Sequence, residues 1–448
     1  MHFTRRHLDR RAPRLLVIAS FVTAGAAAAS CSRSDDPDMD PIDAAAPDSS
    51  NTPSDAGLDA TRPTDAGFVD AAPLPVVCTS PPCAMQLVTT LGEDEDDRSE
   101  GFCTLLDDGT VACWGANGAG QLGRGDDAGT LDSANAARVV GLANVVTLDH
   151  TCAVDKEGSV WCWGTGPFLG ADAGGPMTTA LAPVKIDLPP ASKVGLGHGT
   201  ACAAIGDGVR CWGSNANGQI GPLTADAGDP AVPRPMPIPA GAPVRALSVG
   251  KATFVLREDG SLVTWGGNPP LGRVSPMFPD PNPRDIALRG ILVADLAYDS
   301  ACATAGGTGY CWGARVQQNV ASETDRALPA PILAPEPLVQ IATTRTHALE
   351  AAKVQPYRWC ATGVSGDVWC WGFNESGQAG DGTRDHAFHA VKVAGLPAPA
   401  AQVKTTPNTT CALLTNGKVH CWGSNYNGQL GNGQSRGRSL IPAEVVLP

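Results

Sequence analysis

The sequence predicts an all-β fold: a seven-bladed β-propeller, set behind a signal peptide and a disordered linker. Two observations carry that expectation. A frame, C-A-x-x-x-x-G-x-V-x-C-W-G, recurs seven times, with Trp114, Trp163, Trp212, Trp265, Trp312, Trp371 and Trp422 spaced 47 to 59 residues apart. Between the copies lie short alternating runs with β-branched residues, such as NVVTL at 144–148 and APVKI at 182–186, and no amphipathic helix of useful length. Four-stranded units repeated this way pack sheet against sheet around a ring. An open solenoid is the alternative, but no polar capping repeat stands at either end. MQLVTTL at 85–91 and AEVVL at 443–447 are the runs that could meet to close the ring.

Residues 1–30 read as an export signal. MHFTRRHLDRRAPR is basic, and LLVIASFVTAGAAAAS is a short apolar, alanine-rich run too brief for a good transmembrane helix. The small residues ending at Ala28-Ala29-Ser30-Cys31 resemble the lipobox of bacterial lipoproteins, although Ala28 stands where leucine is usual. The resemblance implies that Cys31 is lipidated and anchors the chain in a membrane of the cell envelope. An ordinary cleaved signal peptide is the other reading. Residues 31–75 form an Asp-, Ala- and Pro-rich tether with almost no large apolar side chains, too little to offset the entropy of ordering it. Ten aspartates against two arginines make residues 32–75 carry −8 of the chain's −13. The propeller proper is expected over 76–448.

The copies end in NGAGQLG (117–123), NANGQIG (215–221), NESGQAG (374–380) and NYNGQLG (425–431). These endings, after a G-x-V hairpin, resemble the repeat of the regulator of chromosome condensation (RCC1), over about residues 84–448. The resemblance implies seven blades. Copies two, four and five depart from it, with TGPFLG, GNPPLG and ARVQQN.

The cysteines follow from the hairpins. In five copies the paired positions are ten residues apart, and facing each other they leave three-residue tips ending in Gly109, Gly158, Gly260, Gly366 and Gly417. Two copies have a spacing of nine and leave Gly206-Asp207 and Gly306-Gly307. Such tips need positive φ, which glycine adopts without a Cβ penalty. That register places Cys103 opposite Cys113, Cys152 opposite Cys162, Cys202 opposite Cys211, Cys302 opposite Cys311, Cys360 opposite Cys370 and Cys411 opposite Cys421. Phe254 and Thr264 replace the fourth pair. Cys78 and Cys83 make a seventh bridge, and Cys31 is left over. Seven bridges fit an oxidising compartment. Zinc sites use closer spacings, and buried free thiols are the remaining alternative. Each framed tryptophan follows the second hairpin position, a cysteine in six copies and Thr264 in the fourth, and faces the other side of the sheet, toward an adjacent blade.

No nucleophile elbow, H-E-x-x-H, P-loop or dinucleotide fingerprint is present. NESGQAGDGT at 374–383 has a calcium-loop flavour but lacks the bidentate glutamate. No enzyme, cofactor or metal site is therefore expected. From the first strand to the hairpin, five copies need six to eight residues, whereas Val88 to Cys103 takes fifteen and Ile341 to Cys360 nineteen. Long loops on a rigid scaffold tend to carry function. The acidic Glu93, Asp94, Glu95, Asp96 and Asp97 and the amphipathic Arg345, Tyr357, Arg358 and Trp359 are the candidate contact residues.

The reading favoured is a monomeric, membrane-anchored, non-enzymatic protein-binding propeller at the cell surface or in the periplasm. Secreted bacterial RCC1-like propellers include a protein inhibitor of β-lactamases. Guanine-nucleotide exchange on a small GTPase, as the family namesake performs, and glycan hydrolysis are the alternatives. Nucleic acid is not expected, because the acidic tail would be repelled by phosphates.

Overall fold

Glycine at each hairpin tip sets the register of every sheet. The computed structural model describes residues 72–90, 100–170, 178–197, 199–223, 231–313, 327–344, 347–349, 353–355 and 358–448. Gly109, Gly158, Gly260, Gly366 and Gly417 turn at φ between 73° and 82°, and Gly206 and Gly306 at 55° and 54°. The partners that follow pair Cys103 with Cys113, Cys152 with Cys162, Cys202 with Cys211, Cys302 with Cys311, Cys360 with Cys370 and Cys411 with Cys421. All six pairs are disulfide-bonded with Cα atoms 4.0–4.1 Å apart, the close approach of a non-hydrogen-bonded antiparallel pair. Cys78 is bonded to Cys83.

The described residues form seven four-stranded antiparallel sheets, each from one contiguous stretch of chain. Blade one holds β1–β4 (Ala84–Thr89, Gly101–Leu106, Val111–Gly115, Ser133–Arg138) and blade two β5–β8 (Val145–Asp149, Cys152–Asp155, Val160–Thr165, Thr179–Ile186). Blade three holds β9–β12 (Lys193–Gly197, Thr200–Ile205, Gly208–Gly213, Arg234–Met236) and blade four β13–β16 (Val244–Val249, Ala252–Arg257, Leu262–Gly266, Asp280–Asp285). Blade five holds β17–β20 (Ile291–Ala297, Ser300–Ala305, Thr308–Gly313, Ala330–Pro331). Blade six is β21, β24, β25 and β26 (Leu338–Thr343, Arg358–Gly363, Val368–Gly372, Ala387–Lys392), with a separate hairpin, β22–β23 (His347–Leu349, Lys353–Gln355), inserted after its first strand. Blade seven is β27–β30 (Ala400–Thr405, Thr409–Leu414, Val419–Ser424, Arg438–Glu444). Together these make a seven-bladed β-propeller. No helix among the described residues is long and apolar enough to cross a membrane.

One arrangement repeats at every seam. The disulfide of a blade packs in the same apolar cluster as the tryptophan of the next blade. Cys103 and Cys113 lie with Trp163, Cys152 and Cys162 with Trp212, Cys202 and Cys211 with Trp265, and Cys302 and Cys311 with Trp371. Cys360 and Cys370 lie with Trp422, and Cys411 and Cys421 with Trp114, which closes the ring from blade seven to blade one. Blade four has no disulfide. There Phe254 fills the place and stacks on Trp312, with ring centroids 6.0 Å apart and planes 19° from parallel.

Nearest the axis, the first strands touch one another around the ring, and polar side chains bind the backbone of the next blade. Gln86 pairs with both Leu148 N and O, Gln340 with both Val403 N and O, and Gln402 accepts from Leu87 N. Asp149 accepts from Leu196 N and Asp295 from Thr343 N. Arg245 donates to Leu292 O. Between blades three and four the contact is backbone itself, since a Cβ on Gly197 would overlap Val249 O.

The two runs at the chain's extremes do not pair as strands. β1 is an innermost strand and β30 an outer edge. They meet through side chains, because Ala84, Leu87 and Val445 share the cluster around Trp114. The segment before β1 adds a strap along the hairpin-tip face. Val77 N donates to Thr415 O, Asp107 N to Cys83 O and Ala84 N to Gly417 O. Leu74 reaches the blade-six tip at Gly366, and Ala72 lies against the tips of blades four and five.

If Phe254 replaces a disulfide as packing against Trp312, Phe254→Ala should cost about 3–5 kcal/mol. Thr264→Ala, which loses the hydroxyl bond to Leu271 O, should cost about 1 kcal/mol. Denaturant unfolding of both variants measures the difference.

Candidate functional site

In an up-and-down blade, the connections from first to second strand and from third to fourth strand emerge on one face. The hairpin tips emerge on the other. The first face is built on the Asn-x-x-Gly-Gln-x-Gly loops. Asn117, Asn215, Asn374 and Asn425 accept through Oδ1 from the backbone N of Leu122, Ile220, Ala379 and Leu430 at 2.8–3.0 Å. The loop so folded offers one carbonyl to the next blade. Trp114, Trp163, Trp212, Trp265, Trp312 and Trp422 donate their indole N–H to Gln429, Gln121, Phe168, Gln219, Pro270 and Gln378 O at 2.6–3.0 Å. Copies two and four have lost the glutamine, but Phe168 and Pro270 keep the carbonyl. The final glycine is there for closeness: a Cβ on Gly380 would sit 2.5 Å from Trp422 Nε1. The calcium-like stretch is one of these loops, with Asp381 taken up by Thr383 and Asn374.

In four blades the first-to-second connection is the two residues 150–151, 198–199, 250–251 or 298–299, and in blade seven it is 406–408. In blades one and six it spans 90–100 and 344–357. Glu93, Asp94, Glu95, Asp96, Asp97, Arg345 and Tyr357 lie outside the described residues, as do Cys31 and the chain before residue 72.

The bases of the two long connections converge. Glu100 is buried, and its carboxylate accepts from Thr406 Oγ1 (2.7 Å), Thr409 Oγ1 (2.8 Å), Asn408 N (2.7 Å) and Asn408 Nδ2 (3.1 Å). Arg358, 1% exposed, donates to the other side of the same turn: to Thr406 O (2.7 Å), Thr409 O (2.7 Å), Thr410 Oγ1 (2.9 Å) and Pro407 O (3.1 Å). It also reaches Gln378 O at 3.3 Å. A carboxylate from blade one and a guanidinium from blade six thus hold the blade-seven turn between them. Desolvation raises the Glu100 carboxyl above its ordinary value despite these donors and the charge of Arg358. Burial pushes Arg358 down to about 9, partly offset by Glu100, so it remains a cation at neutral pH.

Arg358 therefore does not belong to a contact surface. It occupies the position two before the hairpin cysteine or its equivalent, where other copies have Gly101, His150, Thr200, Ala252, Ser300 and Thr409. That position is buried in all of them except His150, which is half-buried, so the residue faces inward. Trp359 also differs from expectation. It is half-buried, stacks on Trp371 at 6.4 Å and turns into the seam between blades five and six. There it lines a cleft of about 440 Å³ with Leu333, Pro335, Phe388 and His389. Copy five lacks the Gly-Gln loop, and among the described residues Trp371 has no carbonyl partner. It is 7% exposed, against 0% for its six equivalents.

The buried carboxylates are committed to structure. Glu100 is saturated by the blade-seven turn. For Asp280 burial opposes the charge, but Arg273, Ser275 and Asn282 outweigh it and hold its pKa to about 2. Asp295 is paired with Lys404 at 2.6 Å. Among the described residues no group of three His, Cys, Asp or Glu could hold a metal ion.

A family model for the regulator of chromosome condensation (RCC1) repeat matches residues 146–168 and 401–429, and a second model of that description matches 416–448. This is an RCC1-like repeat protein. The propeller is similar to the ultraviolet-B receptor UVR8 of Arabidopsis thaliana, 27% identical over 362 residues, covering 75% of this chain and 78% of that one. The human E3 ubiquitin-protein ligase HERC2 is 26% identical over 300 residues, 64% of this chain but 6% of HERC2. Among solved structures, Prp20p of Saccharomyces cerevisiae superposes with a TM-score of 0.61 at 18% identity, over 80% of this chain and 90% of that one. Human WBSCR16 gives 0.59 at 18% identity, over 76% and 94%.

Two outcomes follow from the clamp. Arg358→Met leaves Glu100 buried without its cation and several carbonyls without a donor, and should cost about 3–5 kcal/mol on denaturant unfolding. Because folding raises the Glu100 pKa above 4.5, its contribution is fully present below that value. It is lost as pH rises through the folded-state pKa. The stability of the native protein relative to Glu100→Gln should therefore fall as pH rises above about 4.5, as melting curves on either side of that pH will show.

Proposed function

We propose that this protein is an exported, lipid-anchored, non-enzymatic propeller that binds a protein partner through the face carrying residues 90–100 and 344–357. The observation that carries this reading is the shared clamp. Glu100 and Arg358, at the ends of the two long connections, grip one turn, Thr406–Thr410. Both connections therefore leave the scaffold beside blade seven, on the same face, from bases tied to a buried turn. Long loops set on rigid supports suit recognition better than catalysis when the buried carboxylates nearby are already saturated.

The seven disulfides point to an oxidising environment. That favours export by residues 1–30 and anchoring through Cys31, with residues 31–75 as the tether. The strap at 72–83 lies on the hairpin-tip face, so a chain held from upstream leaves by that face and the long connections lie opposite it. A propeller of similar fold engages proteins: Prp20p, the yeast RCC1, binds Gsp1p and histones and is known bound to Kap60. Guanine-nucleotide exchange has no specific support in this chain's residues.

The test uses the intact chain, with residues 92–98 and 346–356 replaced by short glycine linkers. Cross-linking in the source envelope should lose its partner when both loops are shortened. It should keep the partner when the opposite face is altered by Lys156→Ala and Glu157→Ala, with melting unchanged in each. A partner retained by the shortened chain rules the patch out.

A further inference from the structure

The seven disulfides are not equivalent. The sulfurs of the six blade pairs belong to residues 0–1% exposed, each pair covered by the tryptophan of the next blade. The seventh pair is split. Cys83 is 1% exposed, whereas Cys78 lies in a run, residues 77–81, that is exposed throughout. Cys83 is also fixed in place: its carbonyl accepts from Asp107 N, the following Ala84 N donates to Gly417 O, and its sulfur fills the space a Cβ on Gly417 would need.

We propose that Cys78 is a thiol-exchange site, taking a low-molecular-weight thiol as a mixed disulfide while the blade bridges stay closed. Exchange requires a thiolate to approach a sulfur in line with the S–S bond, so access decides which sulfur is attacked. Here only the Cys78 side of the bond opens to solvent. The incoming thiolate forms a new S–S bond to Cys78 Sγ. The Cys78–Cys83 bond breaks, and Cys83 Sγ leaves with the electron pair. The proton lost by the incoming thiol is balanced by the one taken up at Cys83, so one thiol and one disulfide give one disulfide and one thiol with no external oxidant. Departure of Cys83 as a thiolate and its return attack pass through the same transition state, so access to Cys78 Sγ is what selects the site. The ring is unaffected, because Cys83 remains bonded through its backbone at the blade-one and blade-seven tips. Exchange would thus mark the junction where the tether joins the propeller, and this conclusion stands apart from the identity of any protein partner.

The test exposes the folded, oxidised full chain to excess glutathione, quenches with N-ethylmaleimide and maps peptides without reduction. Glutathione should appear on Cys78 and maleimide on Cys83, at least about tenfold ahead of any blade cysteine. In guanidinium that advantage should shrink to within a few fold. Melting of the Cys78→Ala/Cys83→Ala variant should stay close to native and its small-thiol adduct should vanish. A first adduct on Cys83 or on a blade cysteine overturns the proposal. So does an unmodified Cys78 in the folded chain when the denatured chain reacts.

Discussion

The structure depends on a tryptophan gripped by the preceding blade. Its face packs on that blade's disulfide, or on Phe254. Its indole N–H meets a carbonyl that the Gly-rich loop of the same blade holds in position. A buried indole N–H without an acceptor would cost as much as the packing helps, so the loop and the tryptophan stand or fall together. Because blade seven applies this grip to Trp114 of blade one through the carbonyl of Gln429, the ring closes by the same interaction that builds it. No strand has to be exchanged between the chain's two ends.

Closure is then reinforced where function would load it. The clamp of Glu100 and Arg358 on the blade-seven turn lies on one face, and the strap through Cys83 on the other. A buried acid and base are costly to desolvate, and such a pair stabilises chiefly through the hydrogen bonds that complete it. Here those bonds are to backbone and hydroxyls of a third element, so the pair joins three blades instead of two. The same residues end the two longest connections. Rigidity of the scaffold and the bases of the two long connections are thus arranged at one place.

Where the repeat departs from its pattern, the structure shows which part of the pattern matters. Copies two and four lose glutamine yet keep a carbonyl at Phe168 and Pro270, since the backbone and not the side chain serves the tryptophan. Copy four loses both cysteines yet keeps the seam, because an aromatic ring can occupy the space of a disulfide. Copy five loses the loop ending in sequence, its residues 314–326 lie outside the described ones, and Trp371 stacks on Trp359 beside a cleft.

The seven blades, the hairpin register and the opposed cysteines were legible in the sequence because they are local. A tip glycine ten residues or fewer from both strands dictates who faces whom, and repetition made the pattern hard to misread. The long connections were legible as lengths. Their side chains were not. Arg358 reads as a surface residue of an amphipathic loop until its position two before a cysteine is compared with Thr200 or Ser300, and only tertiary packing brings it to Glu100. The unequal exposure of Cys78 and Cys83 was equally hidden, because it arises from contacts with tips hundreds of residues away. Local turn chemistry decided the blades; the pairing of distant charges and the burial of particular sulfurs were decided only when the ring closed.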